Sequence, residues 1–197
     1  VLDAVDPEGL REVYRQSLEY LQRRGVIESF RSFANTLLVA LDGTGYFYSE
    51  KINCPLCSVA HHREGRVSYS LSVVMAAVVK PDCAQVLAME PQFIFPQKGR
   101  DRQDCELEAA KRWIGTLGPL YGPLAITLLG DALYCCQPLI ELLSEQEIDY
   151  IFAVKPKAQK YLYQELDSLQ ALGEIQHLQR TRWTGKRHQS LSYRYLN

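Results

Sequence analysis

Hydrophobic positions change their spacing several times along this chain, and each change marks an element. Over residues 7–33 they recur at helical intervals. Leu10, Val13, Tyr14, Leu18 and Leu21 share one face, while Arg11, Glu12, Arg15, Glu19 and Gln22 fall elsewhere. Asp6 before Pro7 predicts the helix start, a carboxylate cap followed by proline at the first helical position. Gly25 predicts its stop, with a second short helix over residues 27–33. Residues 36–41 then form a nearly continuous apolar run, which predicts a strand buried on both faces and ending on Asp42-Gly43-Thr44-Gly45. Residues 49–65 read as a loop, residues 67–79 as a long strand and residues 85–89 as a short one.

Further along, residues 101–117 predict a helix with Ala109, Ala110, Trp113, Ile114 and Leu117 on one face, broken by Gly118, Pro119, Gly122 and Pro123. A buried strand over residues 125–129 ends on Gly130-Asp131. A helix over 138–144, a buried strand over 150–154 and a helix within 156–172 follow. Residues 175–196 read as two strands around Thr184-Gly185-Lys186. Three strands in succession, then alternating helix and strand, is the element order of a ribonuclease H-like α/β fold: a mixed sheet with flanking helices. Other mixed α/β folds can be written over the same elements. The expected organisation is an N-terminal helical segment over residues 1–35, the core over 36–160 and the start of a β-rich insertion over 161–197.

Composition narrows the class. Of 197 residues, 47% are hydrophobic, enough for one globular domain with a core, and acids and bases nearly balance at a net charge of −1. That argues against a disordered tail. No apolar run approaches the roughly 18 residues of a membrane span; the longest, residues 73–79, is strand-sized. Val1-Leu2-Asp3 has no basic start or apolar signal core, and the chain reads as an excised segment. Six cysteines, at 54, 57, 83, 105, 135 and 136, are expected to be reduced thiols of a cytoplasmic protein. From Ile151 onward eight bases (Lys155, Lys157, Lys160, Arg180, Arg182, Lys186, Arg187 and Arg194) meet only Glu165, Asp167 and Glu174. The segment therefore carries +5 against −6 for the first 150 residues. An acidic core beside a basic flank suits a nuclease-like domain with a phosphate-binding region; ordinary surface variation would give the same numbers.

Asp42 and Asp131 follow the same pattern, an aliphatic run, then Asp, then small residues. On neighbouring parallel strands two such carboxylates leave the same sheet edge, and they repel unless a cation lies between them. Mg²⁺ fits, because it takes a few carboxylates and completes its octahedron with phosphate and water. Either Asp by itself would more often be a turn or capping residue. Glu106 and Glu108, between the two, are expected on a solvated helix face, with Glu106 near a helix start where negative charge is favoured.

Five blocks in order carry a resemblance. They are Leu41-Asp42-Gly43-Thr44-Gly45-Tyr46-Phe47 with Ser49-Glu50, and Ile52-Asn53-Cys54-Pro55-Leu56-Cys57. Gln103-Asp104-Cys105-Glu106 with Ala109-Ala110-Lys111-Arg112 follows, then Gly130-Asp131-Ala132-Leu133-Tyr134 and Val154-Lys155-Pro156. Together they resemble bacterial insertion-sequence transposases of the DDE superfamily. The resemblance implies a metal-dependent DNA nuclease and strand transferase with Mg²⁺ or Mn²⁺ at Asp42 and Asp131, the first and second catalytic acids. Their separation, 89 residues, resembles the cut-and-paste branch. It also implies DNA as partner, both transposon ends and target, action at the bacterial nucleoid and, for a full-length protein, room for a homodimer. Lys155, Lys157, Lys160, Arg180, Arg182, Lys186 and Arg187 are the expected phosphate contacts. The family's third acid, a Glu in a helix after a strand-rich insertion, has no counterpart here, and the chain is expected to stop within that insertion's start. Leu71 stands where the family often has His, and Lys98 where it often has Asp. A catalytically inactive DNA- or protein-binding remnant is therefore the alternative reading, and a ribonuclease H-like nuclease unrelated to transposition a third.

Cys54 and Cys57, followed by His61 and His62, have zinc-ligand spacing, with His61 four residues beyond the pair. Four ligands are needed, and Cys105 would have to come from afar. The other reading is a pair of thiols in an ordered loop with both histidines on the surface.

Overall fold

Residues 37–41 are buried at Leu37, Leu38, Val39 and Leu41, as their unbroken apolar run requires, but the strand they begin does not stop there. In the computed structural model, which describes residues 7–95, 104–121 and 124–196, strand β1 runs Leu37–Ser49. Asp42 therefore lies inside β1 rather than closing it. The physical reason is its partner: β3, Val67–Val79, is equally long and pairs antiparallel with β1 from Leu38↔Val79 to Ser49↔Tyr69. Main-chain hydrogen bonds continue past the edge of the core, where side-chain burial no longer records them. One register shift, between Gly45 and Phe47, leaves Tyr46 as a bulge.

Strand β6, Ile126–Gly130, pairs parallel with β1 on its other side, and β7, Asp149–Phe152, pairs parallel with β6. Beyond β3 lie β2 (Ser58–His61), β4 (Leu87–Ala88) and β5 (Gln92–Ile94), all antiparallel to it. The result is a seven-stranded mixed sheet with the path β2-β3-β1-β6-β7, an α/β arrangement. β2 falls inside the segment expected to be loop, and β5 was not foreseen; both are too short to show a period. β7 was expected to be buried. It is the sheet's edge among the described residues, and Asp149, Tyr150 and Ile151 are exposed.

Helix α2, Glu106–Tyr121, covers one face of the sheet with the stripe its spacing predicts. Ala109, Ala110, Trp113, Ile114 and Leu117 are all buried, in one cluster with Leu37, Val39 and Leu41 of β1 and Val74, Ala76 and Val78 of β3. Trp113 donates its indole N–H to the Glu90 carbonyl at 3.1 Å, so the largest fully buried side chain leaves no polar atom unpaired. α2 continues past Gly118 and Pro119 to Tyr121; Gly122, Pro123 and residues 101–103 lie outside the described residues. Helix α3, Gln137–Glu145, adds Leu139 and Leu143. Helix α1, Pro7–Arg23, contributes less than its apolar stripe suggests: Leu18 is buried, while Val13 is 60% exposed. It ends at Arg23, a turn through Gly25, whose φ of +72° suits glycine, comes next, and a 3₁₀ turn, Ile27–Phe30, follows with Ile27 and Phe30 buried. Asp6 lies outside the described residues.

The chain divides into two compact units, Val1–Ala153 and Val154–Asn197. The second holds helix α4 (Lys160–Ala171) and the hairpin β8 (Gln176–Trp183) with β9 (His188–Tyr195), around the expected Thr184-Gly185-Lys186 turn. Among the described residues no helix is long and apolar enough to cross a membrane.

Candidate functional site

The paired strands β1 and β6 bring the two aspartates together. Their parallel register ends on Ala40↔Leu129. Two residues on along each chain come Asp42, still within β1, and Asp131, just past the end of β6, so both follow the paired segment at the same end of the sheet. Neighbouring strands lie about 4.8 Å apart. Both residues are exposed, in keeping with a charge-bearing edge. Asp131 also has the bland role open to it: its Oδ1 accepts the Leu133 N–H at 2.8 Å, a turn that fixes the carboxylate's orientation.

Glu106 is not the solvated helix residue expected. It opens α2, half-buried, and its Oε1 accepts the hydroxyl of Tyr134 at 2.7 Å. Its carboxylate lies over Gly43: a Cβ there would come within 2.2 Å of the Glu106 Cδ. Glycine beside Asp42 thus leaves room for the Glu106 carboxylate. Tyr134 is fully buried, and its hydroxyl is pushed well up in pKa. Burial is the largest cause, then its bond to Glu106, then the charges of Glu106, Asp42 and Asp131. One phenol therefore senses all three carboxylates. Helical spacing cannot report these contacts, because Tyr134 lies 28 residues from Glu106 and Gly43 on another element. The signal available was Gly43 next to Asp42. Among the described residues no three His, Cys, Asp or Glu side chains converge closely enough to hold one metal ion.

A brace holds the start of α2. Arg112 Nη1 and Nη2 each donate to one oxygen of Asp104 at 2.8 Å, and Nη2 also reaches the Phe93 carbonyl at 3.2 Å. The Phe95 N–H donates to Asp104 Oδ2 at 3.0 Å. Two residues before Glu106, the Asp104 carboxylate is thereby tied to β5. Burial pushes that carboxyl up, but the Arg112 hydrogen bonds, the Phe95 N–H and the guanidinium charge outweigh it and hold it below the usual range.

The cysteine–histidine loop brings together only part of its expected set. Cys54 and Cys57 sulfurs are 3.1 Å apart. His61 is exposed on β2, opposite Val67, and His62 Nε2 is bonded to Ser68 Oγ at 2.6 Å. Leu71 lies on β3 opposite Phe47, and Lys98 lies outside the described residues.

All seven expected phosphate-binding side chains fall in the second unit, and all are exposed. The hairpin register sorts them. Arg180 and Arg182 share a face with Leu178, Leu191, Tyr193 and Tyr195, while Lys186 and Arg187 sit in the turn, closed by the Thr184 N–H to the Arg187 carbonyl at 3.0 Å. No protein-family model matches the chain, and no curated protein matches it.

Proposed function

We propose that this chain is a DNA-processing domain of the transposase type, in which Asp42 and Asp131 anchor a divalent cation and the basic second unit holds nucleic-acid phosphates. One observation supports the reading: the parallel β1–β6 pairing, which ends two residues short of Asp42 on one strand and of Asp131 on the other. Their carboxylate oxygens are hard donors, which fits Mg²⁺ or Mn²⁺. The sheet path, with antiparallel β3 on one side of β1 and parallel β6 and β7 on the other, supports a ribonuclease H-like fold. Such ions, when bound, activate water and stabilise the leaving oxygen of a phosphodiester. The protein's own part is to place oxygens. Leu133 orients the Asp131 carboxylate through its N–H, and Tyr134 holds that of Glu106.

Nicking of supercoiled plasmid with Mn²⁺ tests the reading. The resemblance calls for a third acid that none of these 197 residues matches, so the wild-type chain is expected to leave plasmid intact beside an Asp42→Ala control. Nicking abolished by Asp42→Ala would overturn that expectation and show that a third acid is supplied within the chain. Loss of that nicking in Glu106→Gln would identify it.

DNA binding is expected regardless of cleavage. On a 20-base-pair duplex, affinity should fall steeply with salt, log K dropping by about 0.9 per phosphate contact for each unit of log salt. Arg180→Ala with Arg182→Ala is expected to flatten that slope by about 2 without sequence preference. A salt-independent affinity, or an unchanged slope in the double variant, would remove the hairpin from the DNA-binding surface.

A further inference from the structure

The Cys54–Cys57 turn is built for chemistry that the aspartate pair does not use. The Cys57 N–H donates to the Cys54 carbonyl at 3.0 Å, closing a four-residue turn with Pro55 at its second position, where its fixed φ belongs. Such a turn keeps its first and fourth Cα within about 7 Å, and a disulfide needs roughly 4.4–6.8 Å. The two sulfurs already touch at 3.1 Å. The backbone N–H of Cys54 points at the Cys57 sulfur at 3.3 Å, a contact that favours negative charge there. The two thiols also differ in access: Cys57 is 4% exposed, whereas Cys54 is half-buried and meets solvent. An accessible sulfur beside a shielded one is the asymmetry that exchange requires, one thiol to meet the reagent and one to resolve the adduct.

The other cysteines lack it. Cys83 is bonded to Gln85, Cys105 is exposed at the start of α2, and Cys135 and Cys136 are sequence neighbours. A zinc reading would need His61 or His62 to turn toward the pair, yet His62 is engaged with Ser68.

We propose that Cys54 and Cys57 are a thiol–disulfide exchange pair, with Cys54 the sulfur that meets a low-molecular-weight disulfide of the glutathione class and Cys57 the sulfur that resolves it. The Cys54 thiolate attacks one sulfur of the small disulfide. That S–S bond breaks, one small thiolate leaves and takes up a proton, and a mixed disulfide forms on Cys54. The Cys57 thiolate then attacks the Cys54 sulfur and expels the second small thiolate. Two protein thiols are oxidised to one disulfide, and one small disulfide is reduced to two thiols. Glutathione and its disulfide run the exchange in either direction.

The test is the intact chain equilibrated in glutathione buffers of graded poise, quenched with an alkylating agent and mapped by peptide mass. The expected result is joint loss of alkylation at Cys54 and Cys57 as the buffer becomes oxidising, recovered on return to a reducing one, with the other four cysteines still alkylated. Cys57→Ser is expected to stop at a glutathione adduct on Cys54. Cys54→Ser should form its adduct at Cys57 at least about 10-fold more slowly, because that sulfur is shielded. Three results would overturn the proposal: both thiols alkylated at every poise, no adduct on Cys54 in the Cys57→Ser chain, or protection that a chelator abolishes with release of zinc. The wild-type titration stands by itself if either variant fails to fold.

Discussion

Arg112→Met is expected to destabilise the first unit by about 2 kcal/mol: the stranded carboxylate is buried, but the Arg112 side chain is 39% exposed and solvent screens part of the pair. Asp104 is almost wholly covered, with 1% of its side chain exposed, and Arg112 makes both of its close side-chain contacts. Methionine keeps the length and the packing of the aliphatic stem while removing both hydrogen bonds to Asp104 and the one to the Phe93 carbonyl. The carboxylate is left with the Phe95 and Cys105 N–H groups. For a unit of this size the loss corresponds to a fall in Tm of roughly 4–8 °C. The effect has a pH signature. Because the folded state holds the Asp104 carboxyl below its ordinary range, its contribution is present above the unfolded value, near 3.9, and disappears as pH falls through the lower folded one. The gap between wild type and Arg112→Met should therefore narrow below about pH 4, and Asp104→Asn should be less acid-sensitive than wild type. Equal thermal stability of wild type and Arg112→Met at pH 7 would dismiss the brace as decoration. A gap that widened in acid would reverse the assigned direction.

The brace matters to the site because it fixes the start of α2, where Glu106 reaches over Gly43. Its residues stood in plain view in the sequence as Asp104 and Arg112, eight apart on one helical segment. Nothing in a helical period announces that Arg112 grips the Asp104 carboxylate and ties it to a three-residue strand. β5 is the missing partner, and a strand that short has no alternation to read. The same limit hid β2. It also stretched β1 beyond Asp42, since pairing with β3 is a property of two segments and the period of one cannot report it.

What the sequence did expose was whatever burial alone determines. The stripe Ala109, Ala110, Trp113, Ile114 and Leu117 became the covered face of α2, and Val67–Val79 emerged with its expected bounds, because both follow from side chains leaving water. Where burial fails, so does the reading. The apolar residues 150–152 lie on an edge strand, and Val13 points into solvent despite sitting on an apolar face. The two aliphatic runs before Asp42 and Asp131 belong to the readable class, since both became paired parallel strands, although β1 runs on past Asp42 while β6 stops at Gly130. The role of Glu106 belongs to the other, since it depends on a tyrosine 28 residues away and on the missing side chain of Gly43.

Mn²⁺ is expected to raise the thermal stability of the wild-type chain, and Asp42→Asn with Asp131→Asn to abolish that rise. Two carboxylates at the same end of adjacent strands repel each other in the metal-free protein, so replacing them should leave its stability unchanged or slightly higher. A cation that binds only the folded chain stabilises it by mass action, about 2.7 kcal/mol at 100 times its Kd, or roughly 5–11 °C in Tm at this size. Removing both carboxylates removes the anchors and, with them, the whole increment. Glu106→Gln separates the third acid from the pair. Its Oε1 is engaged by Tyr134, and no three acids converge among the described residues, so this variant should keep most of the Mn²⁺ effect. Differential scanning calorimetry across a Mn²⁺ series gives all three curves. A rise that survives in the double variant would place the cation elsewhere and take the support from the proposed function. A rise lost in Glu106→Gln would instead make the glutamate a ligand in its own right, brought to the aspartates by α2.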